Sequence, residues 1–320
     1  MIIKFEVISI IISITHEHDL DGLGSQAIIK RYFDGLKKDL ILNFAHYIDF
    51  TEKIKNILEK SPEKLFITDL GFNDEFLEVF KDLKKASEKG TKIFWFDHHI
   101  VDEEIKEKIK DFCEIYLNDT SRCAAEIVQN YFSPDDDIAK KVASLAHDSD
   151  FKEYKYDTSN KLQLIIEFNR GELKIDEKRK IVDFLSKGLF ENGWFKSQMK
   201  ELKSWYENQS KIALKNAKTI PLPKNQELMI SFAKLGGGKI ADLLRKKYEN
   251  LFAYIGIDIR FNEIIIYSSN LNCREFARLF GGGGHRMRAG FKYEQIFKNK
   301  DVINPKFLED IKQKIELFIS

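Results

Sequence analysis

Lys92-Ile93-Phe94-Trp95-Phe96-Asp97-His98-His99 decides how this chain is read. A strand that is apolar on both faces belongs inside a parallel sheet covered by helices. Three coordinating side chains follow it directly, and such groups at the end of a buried strand are costly unless they are paired or bound to metal. The pattern recurs. Ile14-Thr15-His16 runs into Glu17-His18-Asp19-Leu20-Asp21-Gly22, and Leu65-Phe66-Ile67-Thr68 runs into Asp69. Of the seven histidines, only His46 stands outside a short segment that also carries Asp or a glycine run, a distribution suited to metal binding rather than to a solvated surface.

At 320 residues the chain is long for one core, and two domains are expected. Its 52 basic and 51 acidic residues leave a net charge of +1, which excludes a generally basic coat for nucleic acid. An anionic ligand must then be held by a local patch or by metals. Cys113, Cys123 and Cys273 have no paired spacing, which points to a reducing compartment and away from a zinc knuckle. The apolar run from Ile8 to Ile14 is too short to span a bilayer and reads as a buried strand, so a cytoplasmic protein without membrane association is expected.

Outward from the opening stretch, strands alternate with helical patterns, the signature of an α/β fold with a parallel, Rossmann-like sheet. Strands are predicted at Ile8–Thr15, Leu40–Ala45, Lys64–Thr68, Lys92–Phe96 and Glu114–Leu117. Helices are predicted at Leu23–Lys37, Glu52–Glu59, Asp74–Lys89, Asp102–Phe112, Ala124–Phe132 and Ile138–Ala146. From Glu172 to Lys218 the sequence is Lys/Glu-rich with helical spacing, and Ile220-Pro221-Leu222-Pro223-Lys224 reads as a breaker that ends it. A smaller α/β unit follows, with strands near Glu227–Phe232, Phe252–Ile257 and Glu263–Tyr267, and helices over Lys239–Tyr248, Arg274–Phe280 and Lys306–Phe318. The expected division is a catalytic domain over 1–190, a helical connector over 191–224 and a C-terminal domain over 225–320.

In an open parallel sheet, ligands bind outside the carboxyl ends of the strands. His16, Asp69 and His98 therefore converge on one crevice. Asp19 and Asp21 stand two apart beside Gly22, and His147-Asp148-Ser149-Asp150 closes a predicted helix with a second carboxylate pair. A single Asp at a strand end is most often a turn or helix cap, so the reading rests on the whole set. Carboxylates mixed with a few imidazoles suit Mn²⁺, or less strongly Mg²⁺. So many anionic ligands fit two ions sharing one carboxylate, about 3.5–4 Å apart, an arrangement that serves phosphoryl transfer.

Asp19-Leu20-Asp21-Gly22, then Asp69, then Asp97-His98-His99, then Asp148 resembles, in that order, the DHH phosphoesterase superfamily. Phe280-Gly281-Gly282-Gly283-Gly284-His285 resembles the glycine-rich signature of the C-terminal domain associated with it. The resemblance implies one ion on His16, Asp19 and Asp69 and another on Asp21, Asp69, His98 and Asp148, with Asp69 bridging. It further implies that Asp97 orients His98 and that His99 faces the scissile phosphate. Many relatives place the first histidine where Thr15 stands here. His16, which ends the strand, is favoured over His18, and Asp150 is expected to lie behind the ligands or to end the helix.

The same resemblance implies that Gly282, Gly283, Gly284 and His285 bind substrate, with Arg288 or Arg274 supplying charge. Consecutive glycines allow main-chain N–H groups to approach a phosphate closely. Read alone, the run is a hinge or a helix C-cap. Gly236-Gly237-Gly238-Lys239 lacks the Walker spacing and reads as a strand-to-helix turn. The expected activity is hydrolysis of short oligonucleotides, or of linear or cyclic dinucleotides such as pApA and cyclic di-AMP, with two Mn²⁺ per site (Mg²⁺ or Co²⁺ as alternatives). Long duplex nucleic acid is not an expected substrate, and a homodimer is an expected form. The alternatives are a phosphatase acting on 3′-phosphoadenosine 5′-phosphate, or a non-catalytic nucleotide-binding scaffold of replication machinery.

Overall fold

The computed structural model describes residues 10–47, 49–71, 77–153, 155–299 and 302–319. The chain divides into two compact units, Met1–Met199 and Lys200–Ser320. In the first, β1 (Ile11–His16), α1 (Leu20–Gly35), β2 (Ile41–Ala45), α2 (Phe50–Leu58), β3 (Lys64–Thr68), α3 (Leu77–Glu88), β4 (Lys92–Asp97), α4 (Glu103–Lys110) and β5 (Ile115–Asn118) alternate. The strands form one all-parallel sheet in the order β2-β1-β3-β4-β5. Residues 8 and 9 of the first predicted strand and 74–76 of the third predicted helix lie outside the described residues.

Alternation along the strands separates two cores. Ile11, Phe66, Phe94 and Phe96 pack on one face with α1 and with α5 (Ala124–Phe132), α6 (Asp137–Asp150), α7 (Asp157–Phe168) and α8 (Ile175–Ser186). Ile12, Ile14, Leu65, Ile67, Ile93 and Trp95 pack on the other face against residues of α2, α3 and α4. The side-chain period of two in a strand, with both faces buried, is why these segments read as continuous apolar runs. Strand order reverses between β1 and β3, the point where such sheets open a crevice at their carboxyl ends. α9 (Gly193–Lys215) runs across the division between the units. α7 has no counterpart among the predicted elements.

The second unit contains β6 (Lys218–Leu222), β7 (Gln226–Ala233), α10 (Gly237–Lys247), β8 (Ala253–Asp258), β9 (Glu263–Tyr267), α11 (Cys273–Arg278), β10 (Gly283–Gly284), β11 (Arg288–Lys292), β12 (Phe297–Asn299), β13 (Val302–Ile303) and α12 (Pro305–Glu316). Its main sheet is mixed, in the order β10-β11-β9-β8-β7-β6, and β12 and β13 form a separate hairpin. Most of the predicted breaker is therefore a strand. Pro221 is tolerated because β6 lies at the edge, where a missing N–H breaks no ladder on the open side. The glycine run is not a single loop either. Gly281, at φ +72°, ends α11, and Gly283 and Gly284 pair with Gly290 and Ala289 as an edge strand, with His285 to Arg288 making the turn. Among the described residues, no helix is long and apolar enough to cross a membrane.

Candidate metal centre

Four carboxylates and two imidazoles meet at the carboxyl ends of β1, β3 and β4. His16 ends β1, and its Nδ1 lies 2.6 Å from Asp19 Oδ2 and 3.5 Å from Asp69 Oδ2. Asp19 is the N-cap of α1, accepting from Gly22 N at 2.9 Å, so the chain turns from strand to helix with its carboxylate fixed beside the strand end. Asp21 follows in the first turn, and its two oxygens accept from Ala124 N and Ala125 N, the free N–H groups at the start of α5. Gly22 lets strand and helix approach this closely, since a Cβ there would sit 2.1 Å from the His16 carbonyl oxygen.

Asp69 follows β3 in a left-handed conformation, φ +55°, which Asp adopts more readily than most side chains. Its Oδ2 faces His16, and its Oδ1 lies 3.5 Å from His98 Nε2. The same His98 nitrogen is 3.6 Å from Asp21 Oδ2, and His98 Nδ1 is 3.8 Å from Asp150 Oδ2. Two sets of potential ligands result, His16/Asp19/Asp69 and Asp21/His98/Asp150, with Asp69 turned toward both. Thr15, immediately before His16, is fully buried and bonded through its hydroxyl to the Gly22 carbonyl.

Two sequence expectations give way here. Asp148 is buried, but its carboxylate faces the following loop, accepting from Lys155 N at 2.7 Å, Tyr156 N at 3.2 Å and the Ser159 hydroxyl. Asp150 stands at the cluster instead. Asp97 does not orient His98, because its Oδ1 lies 2.8 Å from His99 Nδ1 and its Oδ2 accepts from His99 N at 3.3 Å. On the other side of that ring, Tyr47 Oη is 3.1 Å from His99 Nε2. The arrangement that satisfies all three groups has Nδ1–H donating to Asp97 and the Tyr47 hydroxyl donating to Nε2. Gly71 makes room for the ring, since a Cβ there would lie 2.5 Å from His99 Cγ.

The electrostatics of the cluster are those of a site that wants cations. Burial and the negative charge of Asp19 push Asp69 up to about 6, and burial and Asp69 raise Asp21. Burial works against a charged His16, yet the Asp19 and Asp69 carboxylates raise it to about 10. His98 rises to about 9 against the same burial, driven by Asp69, Asp21 and Asp150. Protons are drawn in where divalent ions would otherwise balance the carboxylates. Asp69 Oδ2 and His16 Nε2 are buried without a hydrogen bond. Orphaned ligand atoms, a shared carboxylate and mixed oxygen and nitrogen donors fit a pair of divalent ions of the Mn²⁺ or Mg²⁺ kind.

The remaining predicted residues lie in the second unit. Gly283 and Gly284 are exposed in β10, Gly282 is half-buried and His285 is exposed in the turn. Arg288 donates to Asp242 Oδ2 and the Gly238 carbonyl, both at 2.7 Å, and Arg274 is exposed on α11. Sequence reading missed His46 and Tyr47 at the end of β2, where the pairing of β2 with β1 was the usable signal.

Residues 9–148 match the DHH family, N-terminal domain. No curated protein matches the chain. Among solved structures, a DHH domain described as belonging to a family of ribosomal proteins is similar at 16% identity and TM-score 0.58, over 97% of this chain and 87% of that one. RecJ from Thermus thermophilus, solved with Mn²⁺, is similar at 12% identity and TM-score 0.55, over 96% of this chain and 51% of that one. A pGpG-specific phosphodiesterase from Vibrio cholerae is similar at 12% identity and TM-score 0.51, over 97% of this chain and 98% of that one. At such identities these likenesses concern the fold. The family match assigns residues 9–148, somewhat under half of the chain, to the DHH family's N-terminal domain, and the fold of the solved structures agrees with it.

Proposed function

We propose that this chain is a phosphodiesterase that uses two divalent ions, Mn²⁺ foremost, to hydrolyse short oligonucleotides or dinucleotides to mononucleotides. The observation that carries the reading is Asp69, whose two oxygens face separate ligand sets at the switch point of the sheet. His16, Asp19 and Asp69 would hold one ion, and Asp21, His98, Asp69 and Asp150 the other. When bound, such ions supply Lewis acidity and acidify water at neutral pH.

The protein's own groups do the rest. The α5 N-terminus keeps Asp21 in place through two backbone donors. Asp97 and Tyr47 hold the His99 ring from both nitrogens, so that its exposed part is presented at a fixed angle beside the cluster. Burial works against a charged His99, yet the Asp97 carboxylate raises it above its ordinary value; once protonated, its Nε2–H would donate to a phosphoryl oxygen in place of its contact with Tyr47. In the second unit, the open edge of β10 and the His285–Arg288 turn would hold substrate, with Arg274 nearby in sequence as a further cation. The near balance of charge and the name of one enzyme above, a pGpG-specific phosphodiesterase, favour a short nucleic-acid substrate over a long duplex.

The test is hydrolysis, followed by chromatography, of pApA, a five-nucleotide RNA, a five-nucleotide DNA, cyclic di-AMP, 3′-phosphoadenosine 5′-phosphate and pyrophosphate, with Mn²⁺ present. Mononucleotide release from pApA and short RNA is expected. An intact panel with metal bound would overturn the reading.

A further inference from the structure

Beside the carboxylate cluster, three imidazoles meet, and the hydrolytic reading uses only His16 among them, through the nitrogen that faces Asp19. The rings of His18 and His46 lie 4.0 Å apart between centroids, and His16 lies 5.2 Å from His18 and 5.6 Å from His46. One nitrogen of each ring falls within 4.8 Å of the other two. His16 directs Nδ1 at Asp19, and its Nε2 is buried without a hydrogen bond. His46 Nδ1 is buried and unbonded in the same way. His18 places Nε2 3.3 Å from Glu17 Oε1, which leaves Nδ1 for another partner. An unpaired buried polar atom costs about 1–3 kcal/mol, and two of them on adjacent rings call for a ligand that accepts lone pairs.

We propose that His18 and His46, with Nε2 of His16, form a second transition-metal site that takes a borderline divalent ion of the Zn²⁺ class, His16 serving both sites as an imidazolate bridge when its Nδ1 also holds an ion. Imidazole nitrogens without carboxylate oxygens suit Zn²⁺, Ni²⁺ or Cu²⁺, whereas the neighbouring carboxylates suit Mn²⁺ and Mg²⁺. The surroundings are built as the second layer of a metal site usually is, with a carboxylate fixing a histidine. Glu17 holds His18, and fully buried Lys178 of α8 in turn donates to Glu17 and to the Gly171 carbonyl. Arg170 and Lys178 oppose a cation here, while Glu17 and Asp19 favour one. His18 and His46 are half-buried, so an ion can enter from solvent.

The test reads metal content and ligand type, and so stands apart from whether the chain hydrolyses anything. The full chain, stripped of metal, is dialysed against Zn²⁺ with excess Mn²⁺ filling the carboxylate cluster. Bound zinc is counted by mass spectrometry, its ligands are read by X-ray absorption, and bound Mn²⁺ is read by electron paramagnetic resonance. The expected result is one zinc per chain in a nitrogen-rich shell. In His18→Gln/His46→Gln that zinc should bind at least about 100-fold more weakly with Mn²⁺ content unchanged. His46→Asn alone, which leaves the Glu17–His18 pair in place, should weaken zinc at least about tenfold and serves if the double variant does not fold. Equal zinc affinity in the variants, an oxygen-rich shell in the wild type, or no zinc beyond what Mn²⁺ displaces would each overturn the site.

Discussion

Replacing Asp148 and Asp150 one at a time by alanine separates a structural carboxylate from a ligand only two residues away. Asp148 accepts from Lys155 N, Tyr156 N and the Ser159 hydroxyl while 1% exposed. Burial works to raise this carboxyl, but the bonds from Ser159, Lys155 and Tyr156 hold it below its ordinary value. Alanine strands two backbone donors, each worth about 1–3 kcal/mol, so the loss is about 3 kcal/mol. For a domain of this size that lowers Tm by roughly 9 °C, at about 3 °C per kcal/mol. Asp150 makes no comparable bond, since its nearest partner is His98 Nδ1 at 3.8 Å and its side chain is 31% exposed. Burial raises it, so removing it from the metal-free protein sheds a desolvation cost while losing its attraction to His98, and stability should change by no more than about 0.5 kcal/mol. Calorimetric melting of the metal-free variants and Mn²⁺ titration calorimetry read the two effects separately. Asp148→Ala should melt early and still bind two Mn²⁺, while Asp150→Ala should melt normally and bind one of them at least about tenfold more weakly. The reverse pattern, unchanged melting with lost Mn²⁺ in Asp148→Ala, would restore Asp148 as the ligand and refute the geometry.

Asp69→Asn keeps a side chain that tolerates φ +55° but removes the shared charge, so hydrolysis of pApA should fall at least about 100-fold; near-normal turnover would dismiss the two-ion arrangement. Mn²⁺ must displace protons from His16 and His98, raised to about 10 and about 9, so its dissociation constant should fall about 10–100-fold from pH 7 to 8, and a flat titration would contradict this. The same His16 shift runs the other way for metal-free stability, which is fully supported below about 6.5 and lost as pH rises through about 10; urea unfolding across that range would show it. Gly71→Ala pushes a Cβ into the His99 ring, so kcat should drop at least about tenfold while Mn²⁺ affinity holds; loss of Mn²⁺ instead would make His99 a ligand.

The central sheet was legible because its strands are buried on both faces. β3 and β4 carry apolar side chains at nearly every position, and each ends on a polar residue that sequence alone marks as out of place. β6 was not legible because Pro221 and Pro223 signal a break unless the strand is known to lie at an edge, and edge position is a property of the whole sheet. The glycine run concealed two devices, a helix end at Gly281 and an edge strand at Gly283–Gly284, since glycine satisfies both without a side-chain pattern to tell them apart. Asp148 and Asp150 share the end of α6, where residues two apart point roughly 200° from each other, so one must face away from whatever the other meets. Order in a motif does not say which.

The roles at the end of β4 could have been read more closely. Side chains alternate along an extended strand, so Asp97 and His99 belong on one side and His98 on the other. The structure follows that rule: Asp97 bonds His99, and His98 turns toward Asp21, Asp69 and Asp150. Three consecutive polar residues thus divide into one that meets the carboxylates and a pair that stands beside them. β2 adds its own end to the crevice by the same register that pairs His16 with Ala45, placing His46 and Tyr47 immediately beyond. Tyr47 then completes the hold on His99, and His46 joins His16 and His18. A histidine that looked isolated in the sequence is brought to the site by strand order alone, which is where further function in this chain is best sought.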